Sequence, residues 1–485
     1  MKKTISLKLF TIILLSILVI TGFIFMPIII KYENEITQLE NSLAKKQISI
    51  IDQDTKRLEN EEFEKFNEVY DILYNKYREK MTTQELLDGA ILGMIEALDD
   101  PYTNYMNAEE ASNFAEQMEG EYQGIGAGLY EENGQVIIEY TFKDSPAEKA
   151  GVLPGDVIAE VNGQDVRGWS SSEIVTIVRG DKGTKVKIGF ERPGVGEVVN
   201  ITITRDTIPL ISVEYKIYKE NNKKIGYIEM TRVGEKTFNE MQTALEELGE
   251  IDSLIVDVRN NPGGYLHIIK EITNLFVGDT LPFIQVEDRN GNVEKYFVSS
   301  DKVDYQVVVL INEHSASAAE IFAAALSQIE DFELVGKTTY GKGTVQTQNL
   351  FNDGSNLKYT IQKFLAPNGE WFHGKGVNPT IEVDQPEFYS YYRVSIEDEI
   401  SENIYSDQIL NAEKILDILG YEIIVDGFLD DQTMNELGRF QKIEGLKVTN
   451  TLTVETANTL NREAKEMIED DSNDLQLQKA LELLR

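Results

Sequence analysis

The chain has 485 residues, 46 Lys+Arg against 83 Asp+Glu for a net charge of −37, no cysteine and three histidines. The missing cysteines exclude disulfides, thiolate zinc sites, iron–sulfur clusters and a cysteine nucleophile. So large a negative charge repels phosphate backbones, so no nucleic-acid partner is expected, while 41% hydrophobic residues suffice for about three folded domains.

Leu9 to Ile30 is a run without a charge, preceded by Lys2, Lys3 and Lys8 and followed by Lys31 and the acidic Glu33 and Glu35. At ~1.5 Å per residue, such a helix crosses a ~30 Å hydrocarbon core. Lysines before the run and acids after it predict a cytoplasmic amino end and an extracytoplasmic remainder. A cleaved signal peptide is the rival reading, but the run is long for that and no small-x-small site precedes Lys31. Residues 1–31 are therefore expected to be a single-pass transmembrane signal anchor in the cell membrane. Residues 32–118 read as helical. Ile36, Leu39, Leu43 and Ile50 keep a loose helical spacing that Lys46 interrupts, which fits a solvated stalk and a homodimer contact equally well. A second helix runs from Thr82 to Leu98, capped by Thr82 or Thr83 and ended by Asp99-Asp100-Pro101.

Residues 119–208 change to short alternating strands, clearest at Gln135 to Tyr140, Lys185 to Phe190 and Val198 to Thr204. The run Gly124-Ile125-Gly126-Ala127-Gly128-Leu129 lacks the third glycine and the following helix of a dinucleotide loop. Its backbone amides instead suit an anionic group, with the next strand open to an extended peptide. Together with Ser145-Pro146-Ala147-Glu148-Lys149-Ala150-Gly151-Val152-Leu153-Pro154-Gly155-Asp156-Val157-Ile158, this loop resembles a PDZ domain. The resemblance implies an α+β module whose residues 124–129 capture a protein's carboxy-terminal carboxylate.

Residues 209–385 look like an α/β core. Tyr305 to Ile311 is nearly continuous in β-branched residues, as in a strand buried on both faces. It leads through Asn312-Glu313-His314 into Ser315-Ala316-Ser317-Ala318-Ala319-Glu320 and a small-residue helix to about Gln328. A serine between such a strand and a helix amino terminus sits where orphan amides favour negative charge, although most serines there are simple caps. Gly336 to Lys342 nearly spells a phosphate-binding loop, but Gly343 stands where a Ser or Thr is needed and the sequence continues as a strand. In a strand, Lys342, Thr344 and Gln346 share a face, so the lysine and glutamine suit a general base and its orienting partner. Leu254-Ile255-Val256-Asp257-Val258-Arg259-Asn260-Asn261-Pro262-Gly263-Gly264-Tyr265 is a buried strand ending in a turn able to present amides to an anion. His314 and His267 have no evident orienting acid and His373 no ligand partners, while no His-Glu-x-x-His run occurs. No metal or organic cofactor is expected.

These three segments, in this order, resemble the carboxy-terminal processing peptidases (tail-specific proteases). The likeness extends to Asp88-Gly89-Ala90-Ile91-Leu92-Gly93-Met94, Leu98-Asp99-Asp100-Pro101-Tyr102 and Gly374-Lys375-Gly376-Val377-Asn378-Pro379, and it spans roughly residues 65–385. It implies Ser317 as nucleophile, Lys342 as general base, Gln346 as the residue orienting that lysine, and oxyanion amides from Gly263, Gly264 and Ala318. Ala319 stands where many members have a second serine, and Thr380 where an acid often follows the proline. Such a lysine must lose its ~10.4 pKa to about 7–8, so an apolar pocket within reach of Ser317 is expected. Arg179, near the end of the PDZ-like module, is the candidate regulatory contact.

Residues 386–404 read as a linker and 405–463 as a compact helical unit. Ile409, Leu410, Ile415, Leu416, Ile418 and Leu419, followed by Gly420-Tyr421, Asp426-Gly427-Phe428 and Phe440-Gln441, resemble a three-helix peptidoglycan-binding domain, with Asn450 in place of a common glycine. A structural or dimer-forming module is the alternative. Residues 464–485 read as a charged helical tail. The expected architecture is multidomain α/β: a transmembrane helix and helical stalk, a PDZ domain, an α/β protease core and a small all-α carboxy-terminal domain. The expected function is membrane-anchored serine endopeptidase of the bacterial cell envelope, acting on protein or peptide substrates with accessible carboxy-terminal segments. A catalytically silent PDZ scaffold that recruits a partner to the wall is the rival.

Overall fold

The computed structural model describes residues 60–485, apart from 133, 279, 299–302, 391, 392, 397, 402 and 403. The expected anchor and the positions from Ile36 to Ile50 lie outside the described residues. Among the described residues no helix is long and apolar enough to cross a membrane. The chain divides into two compact units, residues 1–94 and 95–485.

The first unit contains the Asn60–Lys76 helix and most of the Thr83–Glu96 helix. Thr82 caps the second as expected: its hydroxyl accepts from Glu85 N–H (3.2 Å), while the Glu85 carboxylate takes Thr82 N–H (2.6 Å). Phe63, Phe66, Val69, Ile72 and Leu73 on the first helix are solvent-exposed.

In the second unit, the PDZ-like module is a sheet ordered Ala127–Glu132, Gln135–Thr141, Val157–Val161, Lys185–Glu191, Val199–Thr204, with the Ser171–Val178 helix against it. Ile138, Ile158, Ile174, Ile188, Phe190 and Ile203 form its core. The Ala127–Glu132 strand lies at the sheet edge, as its glycine-rich sequence suggests.

The α/β part is built on six strands ordered Val213–Glu220, Lys223–Met230, Ser253–Asp257, Gln306–Ile311, Glu333–Gly336, Ile381–Glu382. Only the first pair is antiparallel. Period-2 alternation divides the central strand cleanly: Val307, Val309 and Ile311 face one layer, Val308 and Leu310 the other. Helices Thr237–Leu248, Leu266–Thr273 and Ala318–Glu330 supply the first layer, with Met241, Ile269, Ile272 and Phe322 fully buried.

Three boundaries differ from the sequence expectation. Asn104–Met106, expected within a helical region, is a strand paired with Asn356–Leu365 of a second sheet. A three-residue strand carries no periodicity of its own, and only its partner fixes it. Val394 and Ile400, expected in a linker, pack into the core of the carboxy-terminal helical unit with Ile409, Leu416, Phe440 and Leu460. Finally, the Leu475–Leu484 helix is not a free charged tail, because Leu477, Ala480, Leu481 and Leu484 are buried against Ile255, Val308 and Leu310 of the α/β sheet.

Candidate active site

Ser253–Asp257 and Gln306–Ile311 are parallel neighbours, so the turns leaving their carboxyl ends lie side by side, where open α/β sheets place their sites. Hydrogen bonds fasten the two turns together. Val258 N–H donates to Leu310 O (3.0 Å), Asn260 N–H to Asn312 Oδ1 (2.9 Å), Ser315 Oγ to Val258 O (2.8 Å) and Ala316 N–H to Asn261 O (2.8 Å).

Ser317 follows at φ 55°, ψ −113°, a backbone state that L-residues rarely adopt. It is 8% exposed, immediately before the first residue of the Ala318–Glu330 helix. The strain is held by close packing. Gly263, itself at φ 95°, approaches so closely that a Cβ there would sit 2.7 Å from Ser317 Cβ and 2.8 Å from Ala318 N. A glycine is therefore required for the two turns to meet.

The amides at this junction differ in availability. Gly263 N–H is taken by Asn261 Oδ1 (2.8 Å), an Asx turn closed by a side chain whose amide is itself anchored on Met230 O (2.7 Å). This departs from the expectation that Gly263 offers a free oxyanion amide. Gly264 and Ala318 N–H groups carry no hydrogen bond among the described residues. Gly264 can have no side chain, because a Cβ would fall 1.9 Å from Val233 O.

Lys342 arrives on a third turn, and Glu320 holds it. This carboxylate is fully buried, yet it accepts Ser317 N–H (2.8 Å), Lys342 N–H (2.7 Å), Gly341 N–H (2.7 Å) and the Thr339 hydroxyl (2.6 Å). Burial pushes the Glu320 carboxyl up, and those four donors pull it back toward ionisation. One acid thus ties the serine turn to the lysine turn. The lysine's Nζ lies 5.0 Å from the centre of the Tyr102 ring and makes no hydrogen bond or ion pair among the described residues. Burial, aided by the nearby charge of Lys358, lowers its pKa to about 8, against weaker opposing pulls from Glu320 and Asp100.

Gln346 does not reach this amine. Its Nε2 donates to Thr344 O (3.1 Å) and Thr344 Oγ1 (2.9 Å), and the Thr344–Leu350 strand begins only after Lys342. Strand alternation, which would have placed the glutamine beside Lys342, does not extend back to that residue.

Ser317, Lys342, Gln346, Gly263 and Gly264 line one cleft of about 1760 Å³, and Ala318 adjoins it. Of the six PDZ-loop residues, Ala127 and Gly128 reach the same cleft. Ile125 and Leu129 pack into the module's own core, while Gly124 ends the Glu121–Gly124 strand and Gly126 lies against Ser145. Arg179 also lines the cleft. Its guanidinium meets Glu116 (2.7 Å) and Asn113 (3.0 Å) and stacks over Tyr122. His314 and His267 lie outside the cleft, exposed beside Glu313 and Glu235. His373 is stacked on Trp371. Among the described residues no group of acids and histidines could hold a metal.

The profile of Peptidase family S41 matches residues 224–383, a PDZ domain profile matches 138–192, and the profile of the activating protease CtpB N-terminal domain matches 20–110. Carboxy-terminal processing protease CtpA of Bacillus subtilis is 39% identical over 440 residues, covering 90% of this chain and 93% of that protein. The chain belongs to the carboxy-terminal processing proteases. CtpB of the same organism is 38% identical over 87% of this chain and 88% of its own. A probable CtpA-like serine protease of Staphylococcus aureus is 34% identical over 81% and 79%. The protein is thus a serine-type S41 peptidase carrying a PDZ domain, and the silent-scaffold reading falls.

Within this carboxy-terminal processing protease, sequence reasoning missed Glu320 as a hub. Its signal was legible, since an acid three residues after a serine at a helix start is a capping pattern. Tyr102 as a wall of the lysine pocket left no such signal, because it lies far upstream and is brought there by tertiary packing. Thr380, standing where an acid was expected, accepts Leu334 N–H (2.8 Å) and so finishes the edge of the Glu333–Gly336 strand. Asn450 adopts φ 63°, a left-handed state that asparagine tolerates in place of glycine.

Proposed function

We propose that this protease is a membrane-anchored endopeptidase of the cell envelope that hydrolyses peptide bonds with a Ser317–Lys342 dyad. Neutral Lys342 accepts the Ser317 proton as Oγ attacks the scissile carbonyl carbon, and the protonated amine then passes that proton to the departing amine nitrogen. Water, deprotonated by the same lysine, hydrolyses the acyl-serine. The developing oxyanion lies against the free Gly264 and Ala318 amides at the amino end of the Ala318–Glu330 helix, where the dipole adds to their effect. The observation that carries this reading is a strained, buried serine sharing one cleft with a half-buried lysine that has no counter-ion among the described residues. Gln346 supports the dyad through Thr344 and not by touching the amine.

The PDZ module presents the substrate. Its Ile125 and Gly126 amides have no hydrogen bond among the described residues and suit a terminal carboxylate, and the Ala127–Glu132 edge can accept an extended chain leading into the cleft. The uncharged run Leu9 to Ile30 anchors the protein, and the carboxy-terminal helical unit offers a surface for cell-wall glycan. The exposed apolar stripe at Phe63, Phe66 and Val69 suits contact with a second copy.

The test compares the full-length chain with Ser317→Ala and Lys342→Arg on an unstructured protein and on peptides with free or amidated carboxy termini. Cleavage by the wild type alone, faster for free termini, is expected. An active Lys342→Arg variant would sink the dyad, and equal rates for both peptide forms would remove carboxylate capture.

A further inference from the structure

The face of the catalytic sheet opposite its three helices is covered by the last elements of the chain. Ile225, Tyr227, Ile255, Val308, Leu310 and Val335 point to that face, and Leu477, Leu481 and Leu484 close over them. The same segment reaches the catalytic turn through charge. Arg259, the second residue after the Ser253–Asp257 strand, is largely covered, its side chain 13% exposed, between two carboxylates. Its Nε and Nη2 meet Asp257 (2.9 and 2.6 Å), and its Nη1 and Nη2 form a fork on Asp474 (3.0 and 2.7 Å). Asp474 is fixed in turn by Gln385 Nε2 (2.6 Å) and by Leu477 N–H (2.9 Å), which it caps. Gln476 adds an acceptor for Arg259 Nη1 (3.1 Å) and donates to Val383 O (2.9 Å). Tyr227 OH completes the shell on Asp257 (2.8 Å).

We infer that Asp474 is a positioning residue for catalysis: by clamping Arg259, the carboxy-terminal segment holds the 259–264 turn in the register that aims the Gly264 amide at the cleft. This rests on the oxyanion role proposed above. The path is short and continuous. The residue after Arg259 is cross-linked to Asn312 in both directions (2.9 Å each), and Asn261 both anchors Ala316 and shapes the Gly263–Gly264 turn. Planar two-point contact makes the guanidinium's orientation sensitive to its partner's charge and reach. Burial opposes ionisation of Asp474, but the Arg259 bonds and charge and the Leu477 amide outweigh it, so its carboxyl stays below the usual range and the clamp is ionic near neutrality. Removing that charge leaves Arg259 with Asp257 as its one carboxylate partner.

Asp474→Asn is the discriminating variant, because asparagine still caps a helix and still accepts from Gln385. With the full-length protein, we expect kcat on an unstructured protein and the rate of Ser317 labelling by a fluorophosphonate to fall together. The fall should be about tenfold or more and exceed any fall in the folded fraction at the assay temperature, with KM within about twofold. Asp474→Glu should recover most of the labelling rate. Labelling and kcat of Asp474→Asn within twofold of wild type overturn the inference. So does a loss that merely tracks the unfolded fraction and is not rescued by glutamate, since the helix is then structural alone. A wild type that cleaves but is never labelled at Ser317 overturns the nucleophile assignment and this inference with it. A labelled wild type beside an unaltered Asp474→Asn overturns only the role of Asp474.

Discussion

Lys337 and Lys342 stand five residues apart on one segment and have opposite electrostatics. Lys337 is clasped by Glu382 (2.8 Å) and Asp384 (2.6 Å), and the two carboxylates raise its pKa, so it stays an ammonium. Lys342 has left its acids behind. Its nearest charged neighbours include another lysine, its Nζ rests over a tyrosine ring, and burial brings its pKa to about 8. In a protein with 83 acids, an amine's pKa falls where acids are kept away from it. Glu320 is the instructive exception: it lies next to Lys342 but spends its oxygens on backbone amides, including that of Lys342 itself.

The contrast can be broken most severely at Lys342. Lys342→Arg should reduce kcat by about 10²–10⁴-fold, because arginine cannot accept the proton. In the proposed dyad the neutral amine is the active form, so kcat/KM should rise with pH and reach half its plateau near the lysine's pKa of about 8. A bell centred well below that value would point to another base. Next in size is Glu320→Ala. It strands four donors, three of them backbone amides, in a fully buried site and should cost roughly 3 kcal/mol or more by chemical denaturation. Loss of Ser317 labelling should accompany it even where the fold survives.

A finer adjustment comes from Lys358, whose charge helps to hold the Lys342 pKa down. Lys358→Met removes like-charge repulsion, so the acid limb of the kcat/KM profile should move to higher pH while the plateau changes less. A limb that moves down would reverse the assigned sign. The smallest effect is expected at the other lysine. Lys337→Gln breaks an exposed ion-pair cluster distant from the chemistry and should leave kcat/KM within about twofold.

Parts of this site were legible because their signals are local. The buried strand Gln306–Ile311 announces itself by β-branched residues, and its helix starts where small residues take over. The Ser145 to Asp156 stretch carries its own turn chemistry, with Ser145 capping a helix and Gly151 and Gly155 at φ 83° and 85°. Gln346 was expected beside Lys342 because alternation was read through both residues, whereas the strand starts only at Thr344 and the glutamine folds back onto that threonine. Gly263 was counted as a free amide because the claim on it comes from the Asn261 side chain.

The roles of Ser317 and Lys342 were implied only by the family resemblance; by itself, the sequence determined the buried strand and helix start that flank Ser317 and the absence of thiol chemistry. Those properties depend on hydrophobic period, turn residues and composition, all of which are written along the chain. Tertiary structure alone decided that Lys342 is half-buried over Tyr102, that Glu320 joins two turns, and that Asp474 closes on Arg259 from the far end of the protein. Burial, charge proximity and hydrogen-bond satisfaction depend on distance in space, and they are what separates the lowered pKa of Lys342 from the raised one of Lys337.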